Sequence, residues 1–189
     1  MSTKREYLKR AKREKRRQQK KERSIKKFLR AAVSWILAIA VAAVVGYALV
    51  SFCFQTVYVV GNSMSPALQN DDKVIVNKIC YLLGSPDRYD IVAFRSVDSS
   101  DEYYDIKRVI GLPGETVLIE DGKIFINGEE LSDLPFDDYI FTAGLAEDEI
   151  TLSNDEYFVL GDNVNNSEDS RFPNVGNILE NEILGRIKE

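Results

Sequence analysis

The sequence predicts a mostly β domain of antiparallel strands, preceded by one membrane-spanning helix. Three observations predict it. Residues 31–54 form a run of 24 residues without a charge. Beyond it come short runs rich in β-branched and aromatic residues: Val57–Val60, Lys73–Val76, Asp90–Phe94, Val117–Ile119 and Tyr157–Leu160. Two tight-turn dipeptides, Asp121-Gly122 and Asn127-Gly128, separate such runs.

The N-terminal segment is set apart by charge. Residues 1–30 hold fifteen Lys/Arg and three Glu, a net of +12, while the remainder sums to -17. Two such halves face different partners or compartments. A basic arm of this kind also suits nucleic acid. Beside a membrane span it reads better as a topology signal, because Lys/Arg near a span stay cytoplasmic. Resting on anionic lipid, each such charge contributes about 1 kcal/mol. No nucleic acid is expected as a partner.

The uncharged run is long enough to cross a membrane. A helix rises about 1.5 Å per residue, so roughly 20 residues cross a hydrocarbon core of ~30 Å. A cleavable secretory signal has a shorter apolar region, about 7–15 residues, after a short basic stretch. Three segments are therefore expected: a basic cytoplasmic tail over 1–30, a signal-anchor helix over 31–54, and a β-rich extracytoplasmic domain over 55–189. In that last segment, Thr116 to Leu131 reads as two hairpins or a meander. Short helices are expected near Ile79–Leu83 and Ile178–Ile183. Leu134 to Asp155 reads as an irregular, acidic surface loop.

Composition removes whole classes of chemistry. The chain has no histidine, so neither a Ser-His-Asp nor a Cys-His arrangement can be built. The two cysteines, Cys53 and Cys80, make neither a Cys-rich zinc site nor a disulfide framework. Both read as small buried hydrophobes. No metal and no cofactor are expected.

Three clusters carry candidate chemistry. The first is Gly61-Asn62-Ser63-Met64-Ser65-Pro66-Ala67-Leu68, just after the apolar run. A serine in an irregular turn leaves nearby backbone N–H groups available for an oxyanion. A plain surface turn is the commoner origin of such a stretch. The second is Tyr104-Asp105-Ile106-Lys107-Arg108-Val109-Ile110-Gly111-Leu112-Pro113-Gly114-Glu115. A lysine among Ile and Val tends to be desolvated, which lowers its pKa toward that of a base. Taken alone, an outward-pointing strand lysine explains it as well. The third is Gly161 to Arg171, GDNVNNSEDSR, dense in small turn-forming residues. A plain polar loop is its ordinary explanation, and the spacing of an EF-hand calcium loop does not fit.

Taken together and in this order, the clusters resemble the bacterial type I signal peptidases. SMSPAL resembles the nucleophile box, KRVIGLPGE the lysine box and GDNVNNSEDSR the third box. Asp90–Phe94 resembles the strand motif between the first two. The resemblance covers nearly all of residues 31–187. It implies coiled antiparallel sheets forming a catalytic domain that cleaves signal peptides from exported precursor proteins, after small residues of the Ala-X-Ala type, through an acyl-enzyme. It implies Ser63 as nucleophile and Lys107 as general base. Ser167 matches the position that orients the lysine amine. The Ser63 N–H matches one oxyanion donor, and Gly61 falls where some relatives place a second, a serine hydroxyl. Val59, Val60, Met64, Leu68 and Ile106 match pocket positions. Arg108, Asp162, Asp169 and Arg171 match structural ones.

The lysine and the compact spacing point to a bacterial, Gram-positive-like form. The apolar run and its basic flank imply a single-pass protein of the bacterial cytoplasmic membrane, with a cytoplasmic N-terminus. The chain departs from the family pattern at Ala67, where threonine is usual, and at Val164-Asn165. Asp105 is a further oddity. Two residues from Lys107 on a strand, it would favour the ammonium. It is expected to point to solvent at a bend.

Overall fold

A computed structural model describes residues 2–82, 84–95, 104–136 and 139–188. The chain divides into two units, residues 1–50 and 51–189. The first is one helix, α1 (Ser2–Cys53), whose last residues belong to the second unit. Its sequence is rich in Ala, Leu, Lys, Arg, Glu and Gln and contains no proline, so nothing interrupts the ladder. The basic tail and the apolar run are therefore one continuous helix, divided only by chemistry. Trp35, Leu37 and Val44 are exposed along the apolar run. Among the described residues it is the one helix long and apolar enough to cross a membrane.

The second unit is mostly β. Its strands are β1 (Phe54–Tyr58), β2 (Lys73–Asn77), β3 (Ile91–Phe94), β4 (Asp105–Gly111), β5 (Thr116–Glu120), β6 (Lys123–Ile126), β7 (Glu129–Glu130), β8 (Ile150–Thr151), β9 (Glu156–Leu160), β10 (Ile178–Leu179) and β11 (Ile183–Ile187). Seven form one sheet in the order β1-β2-β11-β3-β4-β9-β10, and four form another in the order β7-β6-β5-β8. All pairings are antiparallel.

The meander over Thr116 to Leu131 forms as the turn signals require. Asp121 and Gly122 have φ of 49° and 73°, and Asn127 and Gly128 have 53° and 80°. Positive φ at both central residues is the hairpin geometry that matches strand twist. The run Val57–Val60 is offset: the strand ends at Tyr58, and Val59-Val60 continue beyond it.

Three apolar clusters hold the domain. One, around Ile119, Ile124, Phe136 and Leu152, packs against the smaller sheet. A second gathers Val57, Val59, Met64, Leu68, Val76, Ile91 and Ile106. A third gathers Val92, Phe94, Val109, Tyr157 and Val159. Strand β4 feeds all three through Ile106, Val109 and Ile110. Every residue of β3, and all of β4 after Asp105, is buried. Both faces are covered, so these strands read as near-continuous apolar runs rather than alternating ones.

Four expectations change. Leu134 to Asp155 is not a surface loop: Phe136, Ile140, Ala146 and Leu152 are buried in the first cluster, and Ile150–Thr151 pairs with β5. Its acidic residues masked an apolar set that closes the smaller sheet. Ile178–Ile183 is no helix but β10, one 3-10 turn over Glu180–Glu182 and the start of β11. Near Ile79–Leu83 there is only a 3-10 turn over Cys80–Leu82, and Leu83 lies outside the described residues. Cys53 and Cys80 are free thiols but only half-buried, and Cys80 Sγ donates to the Asn77 carbonyl at 3.0 Å.

Candidate active site

Ser63 sits in the irregular turn that follows β1. Two apolar anchors pin this turn. Met64 and Leu68 are 1% and 7% exposed, and the Leu68 N–H donates to the Met64 carbonyl at 2.9 Å. At the entrance, Gly61 has a φ of 86°, a conformation glycine adopts without a Cβ clash. Its N–H donates to Asn70 Oδ1 at 2.7 Å, so that donor is already engaged. The Ser63 N–H has no acceptor among the described residues.

Lys107 lies in the middle of β4, opposite Val92 of β3. Its Nζ is 3.0 Å from Ser63 Oγ. Burial drives the lysine pKa below its ordinary value. The carboxylates of Asp105, Asp169 and Glu168 pull in the other direction, less strongly. A neutral amine at hydrogen-bond distance from a hydroxyl can take its proton, which is what turns serine into a nucleophile.

The third cluster closes over this pair. The Asn163 N–H donates to the Ser63 carbonyl at 2.9 Å, and its Nδ2 donates to the Asn62 carbonyl at 3.1 Å. Ser167 is 9% exposed, and its Oγ is buried without a partner among the described residues. Gly161 explains how tightly the pieces meet. A Cβ there would come 2.3 Å from Ser167 Oγ and 2.4 Å from the Ser63 carbonyl oxygen. Gly161 and Asn163 lie in the third cluster, but the sequence alone assigns neither a role of its own. Their signal was the small, polar Gly-Asp-Asn triplet that opens the cluster.

Gly161→Ala should therefore push the Ser167 and Ser63 segments apart. Overpacking of this kind costs roughly 1–3 kcal/mol, and a shift of ~1 Å at a reacting pair costs about 10²-fold in rate. Thermal unfolding and kcat/KM on a cleavable precursor would check it. An alanine variant as active as wild type would show that the close approach is unnecessary.

Two buried ion pairs brace the arrangement. On β4, the Arg108 guanidinium grips Asp162 through Nε–Oδ1 at 2.7 Å and Nη2–Oδ2 at 2.6 Å, and donates to the Tyr89 carbonyl at 3.0 Å. Arg171, 1% exposed, pairs with Asp169 at 2.7 and 2.9 Å and donates to the carbonyls of Thr142 and Val164. Asp169 Oδ2 also accepts the Gly161 N–H at 3.2 Å. Each charge taken from water thus meets an opposite charge and further hydrogen bonds, as burial requires.

A cleft of about 150 Å³ opens beside Ser63 and Lys107, lined also by Val59, Val60, Met64, Tyr104, Asp105 and Ile106. Four of the five pocket candidates line it. Leu68 does not; it packs into the apolar cluster with Met64 and Ile106. Tyr104 and Asp105 are additions. Asp105 is no solvent-pointing bend: it opens β4 opposite Phe94, is half-buried and shares the cleft with Lys107. Among the described residues, no group of three or more carboxylate or thiol side chains is placed to hold a metal ion.

The chain is similar in sequence to known proteins. A family model described as signal peptidase, peptidase S26, matches residues 32–189. The chain is 36% identical to signal peptidase I P of Bacillus subtilis subsp. natto, over 74% of this chain and 78% of that protein. It is 33% identical to signal peptidase I of Bacillus amyloliquefaciens, over 89% of this chain and 91% of that protein. It is 37% identical to the probable signal peptidase I-2 of Synechocystis sp., over 72% of this chain, and there it spans only 62% of the relative's length. A crystal structure of a signal peptidase I from Enterococcus faecalis V583 is 31% identical, covering 55% of this chain and 97% of that one at a TM-score of 0.44.

Proposed function

The chain belongs to the signal peptidase family, peptidase S26, and from that premise we propose that it is a membrane-anchored serine endopeptidase that removes signal peptides from exported precursor proteins. Ser63 attacks the scissile carbonyl, and Lys107 takes its proton and returns it to the leaving amine. Water then hydrolyses the acyl-enzyme. The observation that carries this reading is the 3.0 Å approach of Lys107 Nζ to Ser63 Oγ, with a lysine only 5% exposed. The free Ser63 N–H is the oxyanion donor, with Gly61 unable to supply a second through its own N–H. Ser167, whose buried hydroxyl has no partner among the described residues, is free to turn to the amine and orient it. Arg108, Asp162, Asp169 and Arg171 hold the frame.

Substrate entry follows from strand pairing. Residues Asp105, Ile106 and Lys107 pair with β3, whereas β9 pairs with β4 only from Arg108 onward. That leaves one edge of 105–107 open beside the cleft, and an extended peptide adds to such an edge with alternate side chains entering pockets. The cleft favours small side chains, at -1 beside Ser63 and Lys107 and at -3 along the strand. Val59, Val60, Met64 and Ile106 form its apolar walls, and Leu68 supports them.

The apolar stretch of α1 anchors the protein as a single pass. The basic tail stays cytoplasmic against anionic lipid, and the catalytic domain lies outside. Accessibility of the catalytic domain to added protease in spheroplasts reads this orientation.

The test of the activity is cleavage, by detergent-solubilised full-length protein, of a precursor carrying an Ala-X-Ala site. The same precursor with Leu at -1 should be cut at least ~10²-fold more slowly, because a bulky residue displaces the scissile bond from Ser63. Equal cleavage of both would overturn the assignment of the cleft, and an inert wild type would overturn the peptidase reading.

A further inference from the structure

The cleft has one wall that does not suit an aliphatic substrate. Val59, Val60, Met64 and Ile106 are apolar, but Asp105 lines it with them. The Asp105 side chain has no hydrogen-bond or ion-pair partner among the described residues. Its position in the register is defined. Asp105 and Lys107 stand two apart on β4, so they share a face and lie about 6.6 Å apart along the strand. An extended substrate has the same repeat. With its -1 side chain beside Ser63 and Lys107, the side chain at -3 falls beside Asp105.

Docking a peptide there strips water from a carboxylate that has no partner among the described residues. An aliphatic side chain at -3 leaves that carboxylate unpaired, whereas a hydroxyl donates to it. A site with a buried polar group discriminates strongly against an analogue that cannot satisfy it. We propose that Asp105 is a specificity-determining residue of the cleft, selecting precursors whose -3 side chain is a small hydrogen-bond donor over isosteric aliphatic ones. This rests on the peptidase reading above and adds to it the chemical class of the preferred substrate. The hydroxyl matches the size of the cleft, since Ser and Thr are no bulkier than the Ala and Val that a small pocket admits.

Asp105 also faces Lys107, as do Asp169 and Glu168 from the third cluster. A substitution at Asp105 therefore changes the pH dependence of both substrates together. The experiment must cancel that effect. Two peptide substrates identical except for Thr or Val at -3 are mixed and cleaved in competition by the full-length wild type, and in parallel by Asp105→Ala. The Thr/Val ratio of kcat/KM comes from one enzyme population, so the folded fraction and the Lys107 charge state drop out. The wild type is expected to favour Thr, and Asp105→Ala to lower the ratio about fivefold, the discrimination one net hydrogen bond supplies. A ratio unchanged by Asp105→Ala, with both peptides cut, sinks the inference and leaves the peptidase reading intact. If the wild type cuts neither these peptides nor an Ala-X-Ala precursor, the peptidase reading fails and takes the inference with it.

Discussion

Lys107→Met is expected to abolish cleavage, by about 10⁴-fold or more in kcat/KM, while leaving thermal stability equal to wild type or above it. The two halves of that expectation have one cause. Lys107 is buried, and burial penalises the ammonium. Methionine has a similar length and no charge to desolvate, so the fold loses nothing by the exchange. Catalysis loses its base. Ser63→Ala should fall to a comparable level, and the double variant should be no worse than either single one, because the pair acts as a unit. In the wild type the lysine must be neutral, so kcat/KM should drop as pH falls through its depressed pKa. Burial places that acid limb below the ordinary lysine range, and Asp105, Asp169 and Glu168 hold it back from falling further. Precursor cleavage across pH, with thermal unfolding of each variant, reads all of this. Near-full activity in Lys107→Met would mean that another group is the base.

Asp169→Ala is expected to be the most destabilising single change in the third cluster, at about 3–5 kcal/mol. It leaves the Arg171 guanidinium buried without a counter-charge, facing the carbonyls of Thr142, Val164 and Ser167. It also strips the acceptor from the Gly161 N–H. Since whole domains are stable by only about 5–15 kcal/mol, this is a large share. The segment 161–171 then no longer holds Asn163 against the Ser63 carbonyl, and activity falls with stability. Asp169→Asn, which keeps an acceptor and the shape, should recover part of the loss. Denaturant midpoints measured by circular dichroism would decide it. A shift within ~0.5 kcal/mol for Asp169→Ala would show that the pair does not brace the loop.

The local chemistry was legible because it depends on neighbours in the chain. The β-branched runs became β2, β3, β5 and β9 with ends moved by a residue or so. Asp121-Gly122 and Asn127-Gly128 formed their turns because the left-handed φ values fall on residues that tolerate them. The errors came where polar composition hid burial. Leu134 to Asp155 carries its core contacts on four spaced side chains among acids. At Ile178–Ile183, apolar residues three to five apart look helical, yet Ile178 pairs with Tyr157 and Ile183 with Phe94.

By itself the sequence determined the candidates. The absence of histidine left lysine as a reasonable base for a serine nucleophile, the apolar run marked the anchor, and three short motifs in order named Ser63, Lys107 and the loop from Gly161. Only the tertiary structure decided how they meet. Strand period tells which residues share a face, but not which face is covered. Lys107 is desolvated because the Ser63 turn and the loop from Gly161 close over its face of β4, brought there by long-range pairings with no local signature. The same pairings leave the edge at 105–107 open, bring Ser63 across 44 positions of chain to the amine, and turn Asp105 into the cleft rather than to solvent. Contacts of that kind arise from packing two faces at once, and no window of neighbouring residues contains that information.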